Sequence, residues 1–337
     1  MKIYKVAFFT LLLSFLIPEY SHSKELNTNS LNSSEIENIT IRSTRIPAGA
    51  KDIGSSLYII SEDQIRVRGF KDAIDAISSA PGVTSKQNGS FGGVGTIRIR
   101  GANSYQTLVL VDGVPVNDAS SPAGGYNFEY LNTSNIQSIE VLKGSQSTLW
   151  GSDAIGGVIN IYTKQPESTS FAASVEIGSF GLKRGSADIN FAGPNNKFRV
   201  STSKTSVDGI SKADEKDGNS EDDGLESESY SLSGSFDFES LTLKGSLSYT
   251  NSQLEYDSYG FATGVEDGDE KSNTKEFIGS ISAFFDLFDG KLQNSIFISQ
   301  SDISRDNYSN GSFSFGAEGE RELVRYQGSI EVNEFNK

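Results

Sequence analysis

The stretch Val207–Ser227 gathers the residues of this sequence best suited to chemistry: Asp208, Asp214, Glu215, Asp217, Glu221, Asp222, Asp223 and Glu226 stand against only Lys212 and Lys216. Crowded carboxylates repel one another, and a hard divalent cation held through about six to eight oxygens relieves that repulsion while ordering the loop. The D-x-[DN]-x-[DN]-G run of a helix-loop-helix calcium site is absent, and a solvated acidic loop has the same composition. Other chemistry is narrowed by elimination. The sequence has no Cys, and Met1 and His22 are its only Met and His. Beyond residue 23 this leaves no Ser-His-Asp or Cys-His set and no thiolate or imidazole metal site. No phosphate-binding G-x-x-x-x-G-K-[ST] occurs, and Gly92-Gly93-x-Gly95 is not a dinucleotide fingerprint. No pair of carboxylates stands out for two-acid hydrolysis. A net charge of −15 argues against nucleic acid as a partner. The sequence predicts a protein that is not an enzyme.

The elements that would carry such a loop begin with an export signal over residues 1–23. Lys2 and Lys5 precede the apolar run Val6–Ile17, and Ser21-His22-Ser23 fits a small-x-small cleavage site. Twelve residues are too few to cross a bilayer as a helix, which takes about 20. Residues 24–51 follow as a polar segment rich in Ser and Asn, the composition of a flexible tail. Within it lies the β-prone run Asn38, Ile39, Thr40, Ile41, Arg42. An extended pentapeptide after such a tail can add itself to the edge of a partner's sheet; an ordinary first strand reads the same way.

Residues 52–165 have the pattern of a mixed α/β domain. Leu57–Ile60 predicts a strand, Ser61 a helix N-cap, and Phe70–Ser79 a helix stopped by Pro81-Gly82. Leu108–Val111 predicts a buried strand, and Asp112-Gly113 a hairpin turn before Val114-Pro115-Val116. Ile136–Leu142 and Val158–Thr163 are two apolar strand-like runs joined by a centre holding Gly144, Gly151, Gly156 and Gly157, where the backbone must bend or approach another element closely.

From residue 166 to 337 the period changes to two. Leu241, Leu243, Gly245, Leu247 and Tyr249 alternate with Thr242, Lys244, Ser246, Ser248 and Thr250, and such segments of about ten residues suit a membrane barrel strand. Phe171–Ile177, Lys183–Phe191, Phe198–Thr205, Tyr230–Phe238, Phe277–Leu287, Leu292–Gln300 and Tyr326–Val332 bring the strand count to eight. The connections alternate in length: short at Ala192–Asn196, Glu239–Ser240 and Asp289–Gly290, long and polar at Val207–Ser227, Ser252–Thr274 and Asp302–Glu320. Barrels of outer membranes sort their turns in this way, whereas loops of a β-sandwich have no reason to.

At SAPGV (Ser79–Val83), IRIRG (Ile97–Gly101), LVLVDGVPVND (Leu108–Asp118) and above all IEVLKGSQSTLWGSDAIGGVINI (Ile139–Ile161), the sequence resembles the plug of TonB-dependent outer-membrane receptors. WGSDAIGGVINI and QNGSFGG place the resemblance nearest the cobalamin-transporting branch. It implies an antiparallel, 22-stranded membrane β-barrel with an N-terminal mixed α/β plug domain, of which about eight strands are present here. The chain ends in strand-like sequence, so it reads as a fragment. It also implies that Asn38–Arg42 is the TonB box, that TonB and outer-membrane lipid are partners, and that cobalamin or another chelate is imported without covalent chemistry. Ligand contacts would come from the outward loops Gln87–Gly93 and Asn117–Tyr126, through Asn88, Ser90, Asn117, Ser120 and Tyr126. Calcium would fall to Asp208, Glu221, Asp223 and, by the Tyr256-Asp257 pair, Asp257. A siderophore–iron receptor of the same family and a secreted β-rich adhesin are the alternatives. Lys143 and Asp153 would be ion-paired in the plug or to the wall, or be plain surface charges.

Overall fold

The computed structural model describes residues 54–88, 93–121, 124–128, 131–211, 222–260 and 264–330, together with two short strands, β1 (Thr40–Ile41) and β2 (Ala48–Gly49), paired antiparallel. The export signal, and Asn38, Ile39 and Arg42 of the candidate TonB box, lie outside the described residues.

Residues 56–163 form the predicted α/β unit. β3 (Ser56–Ser61) runs into α1 (Glu62–Arg68) through Ser61, whose Oγ accepts from the Gln64 amide at 3.3 Å while Gln64 Oε1 accepts from the Ser61 amide at 3.2 Å. This capping box satisfies two otherwise orphaned donors. α2 (Ala73–Ser78) buries Ala73, Ile74, Ala76 and Ile77. It starts three residues later than the periodicity predicts, because the Phe70 amide returns to Ile65 O and Asp72 bridges Asn132. The hairpin β4 (Val83–Gln87) and β5 (Gly95–Ile99) stands beside a five-stranded sheet. That sheet comprises β3, β8 (Ile136–Lys143), β9 (Gly157–Thr163), β6 (Thr107–Val111) and β7 (Val114–Pro115), in that order, with β6 and β9 parallel. Both faces of the sheet are covered. Val109, Val111, Ile139, Val141, Ile159 and Ile161 pack with α2, while Leu108, Leu110, Leu142 and Val158 pack on Ala154. That explains why β6 reads as unbroken apolar sequence.

The joining glycines behave as their spacing implies. Gly157 has φ +153, and a Cβ there would strike the Leu142 carbonyl oxygen and lie 2.9 Å from Ile99 Cδ1.

The second half is one antiparallel meander of eight strands in chain order: β10 (Ser170–Ile177), β11 (Lys183–Ala192), β12 (Asn196–Val207), β13 (Leu225–Asp237), β14 (Leu241–Gly260), β15 (Gly264–Leu287), β16 (Leu292–Ser309) and β17 (Ser312–Ile330). Its polarity is inverted relative to a soluble core. Arg199, Ser201, Ser233 and Ser235 are buried toward the plug, whereas Val200, Tyr230, Ile296 and Ile298 face outward, as lipid on one side requires.

Two of the predicted long loops are corrected. Ser252–Thr274 and Asp302–Glu320 are continuations of the ladders β14–β15 and β16–β17, paired out to Gly260↔Gly264 and Ser309↔Ser312. Their strands of 18 to 24 residues exceed the ~10 that span a bilayer, so the hairpins project beyond it. Ser, Asn, Glu and Lys on both faces keep the ladder bonds without an apolar stripe, which is why the pattern reads as loop. The acidic segment between β12 and β13 lies largely outside the described residues.

Candidate functional site

The β6–β7 turn is built by Asp112 and Gly113, both at positive φ (48° and 85°), the backbone an Asp-Gly hairpin needs. The Asp112 carboxylate accepts from Thr163 N at 3.0 Å and Thr163 Oγ1 at 2.7 Å, tying this turn to the end of β9, a few residues before the chain enters the barrel. Beyond β7 the loop through residue 126 faces the wall. Asn117 closes it on the plug: Oδ1 accepts from Val109 N at 2.8 Å, and Nδ2 donates to the carbonyls of Thr107 and Gly124, each at 3.0 Å.

Asp118 turns the other way. Its Oδ1 accepts from Ser120 N (2.8 Å) and Ser120 Oγ (2.6 Å), and its Oδ2 lies 3.0 Å from Arg305 Nη2 of β16. Ser301 Oγ of the same strand donates to Pro115 O at 3.0 Å. At the loop's far end Tyr126 is buried, stacked edge-on to Phe128 at 5.0 Å between centroids, with its hydroxyl bonded to Glu276 of β15. Burial, reinforced by that carboxylate, pushes the Tyr126 hydroxyl well above its ordinary value, so it stays a donor at physiological pH. Asn127 Oδ1 accepts from Gly95 N at 2.8 Å, which joins the segment after β7 to the start of β5.

The predicted ligand contacts therefore divide. Asn88 is exposed just past the end of β4, and Ser90 lies outside the described residues. Asn117 is corrected: it is 3% exposed, and both its amide hydrogens serve the plug backbone. Tyr126 is likewise buried against the wall rather than presented outward. Ser120 is half-buried and engaged with Asp118.

Of the calcium positions, Asp223 and Asp257 are buried, Ser211 Oγ donates to Asp257 Oδ2 at 3.5 Å, and the Asp208 carboxylate packs on Gly181. Glu221 lies outside the described residues. Among the described residues no three acidic side chains converge on one point, so Asp208, Asp223 and Asp257 do not by themselves form a metal site.

Lys143 and Asp153 have separate partners. Lys143 Nζ donates to Pro81 O at 3.0 Å and sits 5.9 Å from the Tyr58 ring, while Asp153 pairs with Arg321 of β17 at 3.7 Å. Nearby, the Arg325 guanidinium lies between Trp150 at the end of α3 (Ser147–Trp150), 5.6 Å away, and Phe297 of β16, 4.6 Å away. The plug also meets the wall through Asp72–Arg184 (2.9 Å), Lys71–Glu176 (3.2 Å) and Asn135–Arg199 (3.0 Å). Sequence reasoning missed these wall arginines. Arg305 and Glu276 flank or fall in stretches read as loop or as plain strand, and only their charge on a plug-facing strand position marks them.

Residues 49–158 match the family model of the TonB-dependent receptor plug domain. The chain is 36% identical over 157 residues to the vitamin B12 transporter BtuB of Vibrio vulnificus strain CMCP6, covering 46% of this chain and 24% of that protein. It is 31% identical over 168 residues to BtuB of Vibrio cholerae, covering 49% and 26%. Among solved structures, it superposes on the siderophore receptor PiuA of Acinetobacter baumannii with a TM-score of 0.65 at 19% identity, covering 85% of this chain and 44% of that one. The matched region spans about a quarter of the curated relatives' length and the chain under half of the solved one. A plug-domain match over residues 49–158, an eight-stranded antiparallel wall against it and this likeness of fold together support a TonB-dependent receptor, of which the chain carries the plug and part of the barrel.

Proposed function

We propose that the protein acts in the outer membrane as a TonB-dependent importer of a scarce, bulky nutrient, most specifically cobalamin or a related corrinoid. The observation that carries the nutrient is the likeness to a vitamin B12 transporter, at 36% identity over 157 residues. The geometry is compatible with it: the loop after β7 is tied to the start of β5 through Asn127 and Gly95 and to the wall through Asp118 and Arg305. Residues 38–42 would recruit TonB by strand addition, and traction on the tail would reach the plug sheet before the barrel. The relatives are named as transporters and receptors, and the chain is read as moving its ligand unchanged.

Calcium belongs to the same proposal. Asp208, Glu221, Asp223 and Asp257 would hold it only with the acidic segment between β12 and β13 folded over them. Calcium titration of the purified receptor should then protect that segment from protease; cleavage indifferent to calcium removes the ion from the proposal.

Growth and uptake test the nutrient. A strain lacking the receptor should lose corrinoid-dependent growth and cyanocobalamin uptake while keeping growth on ferric siderophores. The reverse pattern would assign the protein to iron import, and no defect on either would reject nutrient import.

A further inference from the structure

The plug loop 117–126 is shaped from the wall as much as from the plug. We propose that Arg305 is its positioning residue: from β16 it holds Asp118, and through Asp118 it fixes the form in which the loop meets a ligand from outside. The proposal rests on the reading above that this loop faces the transported nutrient.

The Asp118 carboxylate is 7% exposed and takes donors on both oxygens, Ser120 N and Oγ on one and Arg305 on the other. A carboxylate this dry needs its cation, and removal of one partner leaves the other charge uncompensated. The neighbouring strand leaves no slack. At Gly319 of β17, a Cβ would strike the backbone nitrogen of Ser120 and lie 2.5 Å from the Ala119 carbonyl carbon, so only glycine lets the loop lie this close to the wall. Tyr126 with Glu276 fixes the far end, and Asn117 bonded to Gly124 closes the base. Among the described residues, the loop's path is set by bonds at its ends, by contacts with β15–β17 and by one internal turn, Gly124 N to Ser121 O at 3.0 Å. Arg305 is the one that holds the first turn, where the chain leaves the plug. The described part of the loop arrives pre-formed, and a ligand binding there meets a lower ordering cost.

The test uses the receptor in native outer membranes, with Arg305→Ala, Arg305→Lys and Arg305→Gln, and reads amide exchange over residues 117–126. In Arg305→Ala exchange should rise about tenfold or more, with Arg305→Lys near wild type and Arg305→Gln between. Peptides from β6 and β9 should keep their protection. Affinity for cyanocobalamin should fall in the same order, by about tenfold in Arg305→Ala, while uptake at saturating ligand stays within about twofold. Asp118→Asn combined with Arg305→Ala should be no worse than either alone, because both remove one contact. Unchanged exchange at 117–126, or an equal rise in β6 and β9, overturns the positioning role. A wild-type receptor that binds no cyanocobalamin overturns the proposed nutrient instead, and the exchange result still decides the role of Arg305.

Discussion

Asp72 occupies the N-cap position of α2 yet makes no capping bond; its carboxylate turns instead to Arg184 of β11, at 2.9 Å. The plug thus gives up a helix cap for a tie to the wall. Burial raises the Asp72 carboxyl above its ordinary value, against the opposing pull of Arg184. The sign follows. A carboxyl that binds its proton more tightly folded than unfolded stabilises the fold at pH below its unfolded value, and that contribution is lost as pH rises through the folded one. Asp72→Asn should therefore leave plug stability within about 1 kcal/mol at neutral pH and flatten its pH dependence in the mildly acid range. Arg184→Ala should cost about 1–3 kcal/mol, since Glu176 at 3.8 Å is then no longer shared. Urea titration of plug protection from protease, at several pH values, measures both.

Trp150 is the one tryptophan of the sequence, and it lies at the seam under Arg325. Its emission should report whether the plug is seated. Arg325→Ala removes cation–π contact with Trp150 and Phe297 together and should cost about 1–2 kcal/mol, with the emission shift occurring at lower urea than loss of the barrel's β-sheet circular dichroism. Coincident transitions in wild type and variant would mean that this contact does not hold the plug.

Much of this seam was hidden from the sequence for a physical reason. Strand alternation names the lipid face directly, because Val200, Tyr230 and Ile298 must be apolar. The opposite face need only be polar, so Arg199 against Asn135 or Arg305 against Asp118 looks the same as any hydrated position until the plug is placed beside it. Asn117 misled in the other direction. An Asn in a polar loop after a hairpin suggests a ligand contact, but its amide replaces main-chain partners where β6 meets the loop. Gly156 and Gly157, where the motif runs into β9, were legible because close packing there leaves only one residue type possible.

Gly157 makes that last point measurable. Gly157→Ala must place a Cβ against Leu142 O and Ile99 at a backbone angle that L residues rarely adopt. It should destabilise the plug by about 3 kcal/mol or more. Gly151→Ala, where no atom lies within 4 Å of the added Cβ, should cost only the strain of its backbone (φ 88°, ψ −167°), about 1–3 kcal/mol. Protease resistance of the plug in the two variants, with barrel assembly followed by heat modifiability, separates them; equal losses would mean that strain rather than crowding governs both.

The tail supplies the final prediction. Thr40 pairs with Gly49 and Ile41 with Ala48 in a hairpin of two residue pairs, far too short to be stable alone in water. A partner strand offering a full ladder should displace or extend it at small cost. Proline at position 39, next to this strand, removes one backbone donor from the segment a partner would pair with and is remote in sequence from the loop 117–127. On the proposed function, Ile39→Pro should therefore preserve cyanocobalamin affinity and abolish accumulation inside the cell. If TonB engages residues 38–42 by main-chain bonding, Ile39→Val should behave as wild type, since the amide is what matters; side-chain recognition would instead make Ile39→Val fail as well. Uptake that survives Ile39→Pro would place the energy-coupling contact elsewhere in the chain.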